Sequence, residues 1–200
     1  VFHTAAFPGI WGRAEDFYSI NVDGTLNVIK ACMLGRVKKL IFTSSPSVIF
    51  GKSSLKGVDE TTPYPKNYLC EYSRTKAIAE KLVIEANGVD LATVSIRPHL
   101  IWGPGDPHLV PRILAKADKG RLMRVGMGKN KVDIIYIDNA VSAHLKACNA
   151  LEIGNSLSGK VYFVSDGEPV ELWGWINMLL LKTGRPPISR SISYSAALKL

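Results

Sequence analysis

Tyr72 and Lys76 stand four residues apart in Glu71-Tyr72-Ser73-Arg74-Thr75-Lys76, which runs on into Ala77-Ile78-Ala79-Glu80-Lys81-Leu82-Val83. Ile78, Leu82 and Val83 recur at helical spacing, with good helix formers between them. On a helix, residues i and i+4 share a face, so a phenol and an ammonium reach the same small object. A free tyrosine ionises near pH ~10, too high for an efficient base at neutral pH. A fixed cation beside it favours the phenolate and lowers that value. A tyrosine tuned this way passes a proton to or from a substrate oxygen. Taken alone, the pair also reads as a partly buried tyrosine beside a solvated lysine.

Upstream, Val37-Lys38-Lys39-Leu40-Ile41-Phe42 leads into three hydroxyls, Thr43-Ser44-Ser45, before Pro46-Ser47. Leu40-Ile41-Phe42 is a short apolar run of the kind that forms a buried parallel strand. Ligands of open α/β sheets sit outside the carboxyl ends of strands. A hydroxyl there can hydrogen-bond the oxygen that Tyr72 serves; the bland reading is a polar turn.

The remaining chain supplies the elements that must position these groups. Residues 1–6 read as a strand ending in the small-residue turn Ala5-Ala6, with His3 structural. Residues 16–33 read as one long helix with an apolar stripe of Ile20, Leu26, Val28, Ile29, Cys32 and Met33. Gly24 inside it points to close packing on the sheet, and Gly35 reads as its stop. Residues 52–66 are a polar loop in which Asp59 and Glu60 read as solvated charges. Residues 91–98 form the next strand, followed by the turn Trp102-Gly103-Pro104-Gly105-Asp106 and a helix over 107–116. Short strands are expected over 122–128 and 131–137, with Gly126-Met127-Gly128 as a turn rather than a phosphate loop. Asp138-Asn139-Ala140 opens a helix that buries Val141, Leu145 and Ala147. A strand over 160–164 and helices over 173–181 and 193–200 complete the chain.

Strand, Thr-Ser-Ser, a gap, then Tyr-x-x-x-Lys opening a helix resembles the extended short-chain dehydrogenases/reductases, and within them the 3β-hydroxysteroid dehydrogenase group. Its sterol-4α-carboxylate 3-dehydrogenases and bacterial 2-alkyl-3-oxoalkanoate reductases look most similar. Further motifs in family order are Val1-Phe2-His3-Thr4-Ala5-Ala6, Asn21-Val22-Asp23-Gly24-Thr25, Arg97-Pro98-His99-Leu100-Ile101-Trp102-Gly103-Pro104 and Asp133-Ile134-Ile135-Tyr136-Ile137-Asp138-Asn139-Ala140. The resemblance implies an α/β fold, a Rossmann-like parallel sheet whose N-terminal βαβ units are absent, with a small C-terminal substrate-binding part. Residues 1–200 would be a partial NAD(P)-binding domain with interleaved substrate-binding segments, mainly 102–135 and 165–200.

The resemblance also implies an NAD- or NADP-dependent oxidoreductase of a bulky apolar alcohol or ketone: a sterol, a triterpenoid or a long-chain β-hydroxy or β-keto acid. In that reading Tyr72 handles the proton, Lys76 lowers its pKa and binds the nicotinamide ribose, and Ser45 holds the substrate oxygen, with Ser44 and Ser47 as fallbacks. Ala5, Ala6 and Asn21 lie beside the cofactor, Pro98 and His99 lie along the nicotinamide face, and Trp11 is a substrate-pocket aromatic. A homodimer built on the Tyr-bearing helix is expected. The alternatives are a nucleotide-sugar epimerase or dehydratase of the same superfamily, or a cofactor-sensing regulator. Such regulators usually lose the tyrosine or the lysine, and both are present here.

Bulk properties narrow the classes. A net charge of +8 comes without a basic stripe interleaved with aromatics, which argues against nucleic-acid binding. Cys32, Cys70 and Cys148 are too far apart for a disulfide framework or a metal-ligand motif, so a reducing, cytoplasmic setting and no metal are expected. No signal peptide is evident, and the most apolar stretch, 172–181, is too short to span a bilayer. The chain opens inside a strand-like segment without Met, lacks Gly-x-x-Gly-x-x-Gly, and stops inside a helix-like one, so it reads as a fragment.

Overall fold

The computed structural model describes residues 1–197 and 199. In chain order the elements are β1 (Phe2–His3), α1 (Ala14–Tyr18), a π turn (Ser19–Asp23), α2 (Gly24–Leu34), β2 (Lys39–Thr43), a 3-10 turn (Pro46–Ile49), α3 (Glu71–Glu85) and β3 (Ala92–Pro98). They continue through β4 (Leu100–Trp102), α4 (Leu109–Asp118), β5 (Arg124–Val125), β6 (Lys131–Val132), β7 (Ile134–Tyr136), α5 (Ile137–Ala150) and β8 (Lys160–Val164). The last are β9 (Val170–Glu171), α6 (Leu172–Lys182), β10 (Ser191–Ile192) and α7 (Tyr194–Ala197). Two compact units result: Val1–His99 with Ala140–Val164, and Leu100–Asn139 with Ser165–Leu200.

The first unit is built on a four-stranded parallel sheet in the order β1-β2-β3-β8. Side chains alternate across a strand, and both faces of this sheet are covered. Leu40 and Phe42 point to one face and join Ile29, Cys32, Ala79 and Val83 of α2 and α3. Ile41 points to the other and joins Ala92, Val94 and Ile96 of β3 with Ala147 and Leu151 from α5 and its end. The apolar run at 40–42 is therefore buried from both sides, as expected of a central parallel strand.

The expected helix over 16–33 is helical throughout but not one α-helix. The π turn inserts one residue into the repeat, so the buried series runs Phe17, Asn21 and Val22, Thr25, Ile29, Cys32. Ile20 and Met33 of the expected stripe are consequently exposed. Gly35 follows the last turn, and Arg36 takes the left-handed conformation with φ 51°. In α5 the expected buried side holds at Ala147 but not at the other two positions. Val141 and Leu145 are exposed, whereas Ala140 is buried and His144 is half-buried. Small residues at the contact let the helix lie close to the sheet, a need that hydrophobicity alone does not reveal.

The second unit pairs β4 with β7 and β5 with β10 in parallel, and β6 with β9 antiparallel. Its core is Ile113, Ile134, Trp175, Ile176 and Leu180. Helix α4 starts at Leu109, later than expected, because the Asp106 carboxylate accepts the amides of His108, Leu109 and Val110 at 2.7–3.0 Å and sets the first turn there. Gly126 and Gly128 have φ of 62° and 72°, so this stretch is a turn. Of the helix expected over 193–200, α7 is present, and Leu198 and Leu200 lie outside the described residues.

Candidate functional site

The first unit brings most of the expected site residues to the carboxyl ends of its parallel strands. Ala5 and Ala6 follow β1, Ser45 follows β2 and caps the 3-10 turn, and Pro98 and His99 end β3. Tyr72 and Lys76 come from the first turns of α3.

The Ser45 hydroxyl lies beside the Tyr72 phenol, near enough to act on it, and 2.9 Å from the hydroxyl of Ser47. The Ser47 amide donates to the Ser45 Oγ at 3.2 Å, which fixes that side chain. Burial is the largest influence on Tyr72 and pushes its phenol above the ordinary value, while the neighbouring Ser45 hydroxyl pulls it down. The expectation that Lys76 depresses this phenol is not met. The groups that act on Tyr72 are its own burial, Ser45 and Cys70.

The reason lies in where the lysine goes. Its Nζ donates to the Thr43 carbonyl at 2.7 Å and sits 4.0 Å from the centre of the Phe42 ring. The side chain is 2% exposed, and burial brings the amine down to about 7, with Glu80 acting in the opposite sense. Thr43 in turn faces His144, with Oγ1 2.8 Å from Nε2. His144 Nδ1 lies 2.7 Å from the Ala140 carbonyl and must donate to it, so Nε2 accepts from the Thr43 hydroxyl.

Asn21 is not a helix-surface amide. It is buried, its Nδ2 donates to Thr75 Oγ1 at 3.0 Å, and its Oδ1 accepts the Phe7 amide at 2.7 Å. It ties the turn after Ala5 and Ala6 to the residue beside Lys76. His3 is buried in β1 with Nε2 2.9 Å from Thr25 Oγ1, and burial followed by the Lys76 charge brings its imidazole down to about 4. The Thr25 hydroxyl donates to the Asn21 carbonyl, so the imidazole is the donor to Thr25. His99 packs its ring 5.7 Å from that of Phe163, and Pro98 is buried in register with Val164. Trp11 is 86% exposed. Asp59 binds its neighbour Thr61, and Glu60 accepts the Phe163 amide at 2.8 Å, a tie to β8 rather than a purely solvated charge.

Three residues escaped the sequence reading. His144 left no signal, being 101 positions from Thr43. Glu80 and Arg97 did leave one. Glu80 is at i+4 from Lys76, and Arg97 is the lone charge in an apolar strand that a carboxylate must meet. They form a buried pair, described below.

Residues 1–192 match the 3-beta hydroxysteroid dehydrogenase/isomerase family. The chain is 45% identical to a 2-alkyl-3-oxoalkanoate reductase of Stenotrophomonas maltophilia, over all of the chain and 61% of that protein. It is 39% identical to the human sterol-4-alpha-carboxylate 3-dehydrogenase, decarboxylating, over 90% of the chain and 49% of that protein. The chain thus spans about half the length of such relatives. The fold is that of a UDP-glucuronic acid 4-epimerase from Bacillus cereus solved with NAD, with a TM-score of 0.79 and 24% identity over 96% of the chain and 62% of that structure. With a parallel sheet of this order and a matching run of 192 residues, the chain belongs to the 3-beta hydroxysteroid dehydrogenase/isomerase family of extended short-chain dehydrogenases/reductases.

Proposed function

We propose that the complete protein is an NAD- or NADP-dependent oxidoreductase interconverting a secondary alcohol and a ketone on a bulky apolar substrate. The observation that carries this reading is the Tyr72 phenol beside the Ser45 hydroxyl beyond the end of β2, one helical turn from the buried Lys76 amine. The relatives' names support the substrate class, a 3β-hydroxysteroid or sterol, or a long-chain β-hydroxy or β-keto acid. Both names place the reacting oxygen two carbons from a carboxylate.

The strand ends fit a nicotinamide dinucleotide. Ala5 and Ala6 keep the turn after β1 open to a ligand, and the buried Ser44 hydroxyl is without a hydrogen-bond partner. Lys76 and Tyr72 offer donors for a ribose, Asn21 holds the neighbouring turn, and Pro98 and His99 would line the nicotinamide. When bound, the nicotinamide exchanges hydride with the substrate carbon. Ser45 orients the substrate oxygen, and Tyr72 gives or takes the proton at its phenol oxygen. The phenol's raised value favours the donor role, ketone to alcohol, near neutral pH. Lys76 fixes the depth of the site by its bond to Thr43. The segments around 102–135 and 165–200 are the proposed substrate-binding part. The net charge of +8 favours approach of an anionic cofactor. A cytoplasmic homodimer completes the reading, and the three free thiols suit that setting.

Tyr72→Phe in the complete protein is expected to lower turnover by ~10²-fold or more while cofactor affinity, read by fluorescence titration, stays within about twofold. Full turnover by that variant would remove Tyr72 from the chemistry. Cofactor retained through purification, with no net oxidation or reduction of any alcohol, would favour the epimerase alternative.

A further inference from the structure

Glu80 and Arg97 take no part in the chemistry above, yet they are among the most deeply buried side chains of the first unit, at 0% and 1% exposure. Their contact is two-pronged: Arg97 Nε donates to Glu80 Oε2 at 2.9 Å and Nη2 to Oε1 at 2.7 Å. The Tyr64 hydroxyl donates to the same Oε1 at 2.6 Å. Three separate stretches meet at one carboxylate: the loop before α3, α3 itself and β3. The guanidinium carbon lies 5.8 Å from the Tyr64 ring centre and 5.0 Å from that of Phe163. Lys76 and Tyr68 also feel the Glu80 charge, and Lys81 lies over the Tyr64 ring.

Adhesion alone does not explain this cluster. Taking both charges out of water costs about as much as their attraction returns, and packed apolar residues usually hold two elements together as well or better. What a bidentate pair adds is direction, because two parallel bonds fix both distance and rotation. Here the rotation is that of α3 on the sheet. Glu80 follows Lys76 by one turn on the same face, and Arg97 immediately precedes Pro98. The other β3 side chains on that face, Thr93 and Ser95, are small and have hydroxyls without partners, so they impose no rotation.

We propose that Glu80 and Arg97, capped by Tyr64, are positioning residues: the paired charges set the roll of α3 on β3 and so the point where the Tyr72 phenol meets the Ser45 hydroxyl. The proposal rests on the reading of Tyr72 as proton carrier only for its effect on turnover; the effect on the phenol itself is independent of it.

The test uses the complete protein with tyrosines labelled at the phenol carbon, the Tyr72 signal being assigned by its loss in Tyr72→Phe. The double variant Glu80→Leu with Arg97→Met replaces the pair by apolar groups. It should melt no lower than the parent. Its kcat should fall by roughly tenfold or more, from misplacement by a fraction of an ångström, with the cofactor KM within about twofold. Its Tyr72 signal should titrate at higher pH as the Ser45 hydroxyl, which lowers it, is displaced. Tyr64→Phe, which keeps the ion pair, should show the same changes in smaller measure, and it serves if the double variant fails to fold. Arg97→Lys, a single-pronged donor, should rescue little. An unmoved Tyr72 titration overturns the proposal, whether kcat is intact or falls together with the melting temperature. A moved titration with unchanged turnover keeps the positioning role and instead removes Tyr72 from the chemistry.

Discussion

Lys76 shows what a functional side chain costs the fold. Its amine, at about 7 in the folded chain, stands well below the ordinary 10.5 because it is buried. Between those values the unfolded chain binds the proton and the folded chain does not, so the lysine's cost to stability grows as pH falls from 10.5 to about 7 and is then constant. Lys76→Met keeps the volume and removes the charge, although the Thr43 carbonyl loses its donor. We expect the variant to be more stable at pH 7 by on the order of 1–3 kcal/mol, with the gain shrinking towards pH 10, and to be nearly inactive. Urea midpoints at the two pH values check this; a variant less stable than the parent at pH 7 contradicts it. Tyr72 and Lys76 were legible as a pair in the sequence because their spacing is local. That Lys76 serves Thr43 rather than the phenol was not legible, since it depends on a carbonyl 33 residues away.

At the scale of elements, legibility follows how each surface is buried. Strand β2 was readable because both its faces meet apolar partners, so the run 40–42 has no polar interruption. Helix α3 was readable as a helix but not in its packing. It buries Ser73, Lys76, Ala77, Glu80 and Val83, while Ile78 and Leu82 are only partly buried. Polar residues face inward there because residues 43 and 97 supply their partners. The misread face of α5 gives a direct test. Leu145→Lys should leave the melting temperature unchanged, since the side chain is exposed. Ala147→Leu should lower stability by about 1–3 kcal/mol, because the added carbons meet Ile41 and Val94 in a closed core. A clear loss of melting temperature in Leu145→Lys would restore the sequence reading at that position.

Across the whole molecule, protection from solvent should be graded by the sheet. Strand β2 is paired on both sides and covered on both faces, whereas residues 51–67 form no regular element. Amides of β2 are therefore expected to exchange last and those of 51–67 first, by several orders of magnitude. Comparable rates measured by mass spectrometry in both stretches would refute this grading. The order of the chain carries a further consequence. Each compact unit is assembled from two stretches, and the polypeptide passes from one unit to the other after residues 99, 139 and 164. A single genetic crossover within residues 1–164 would therefore split at least one unit between two parents. Exchanging the second unit alone between relatives would need breakpoints at all three positions, so variation in it is more readily reached by point substitution than by recombination.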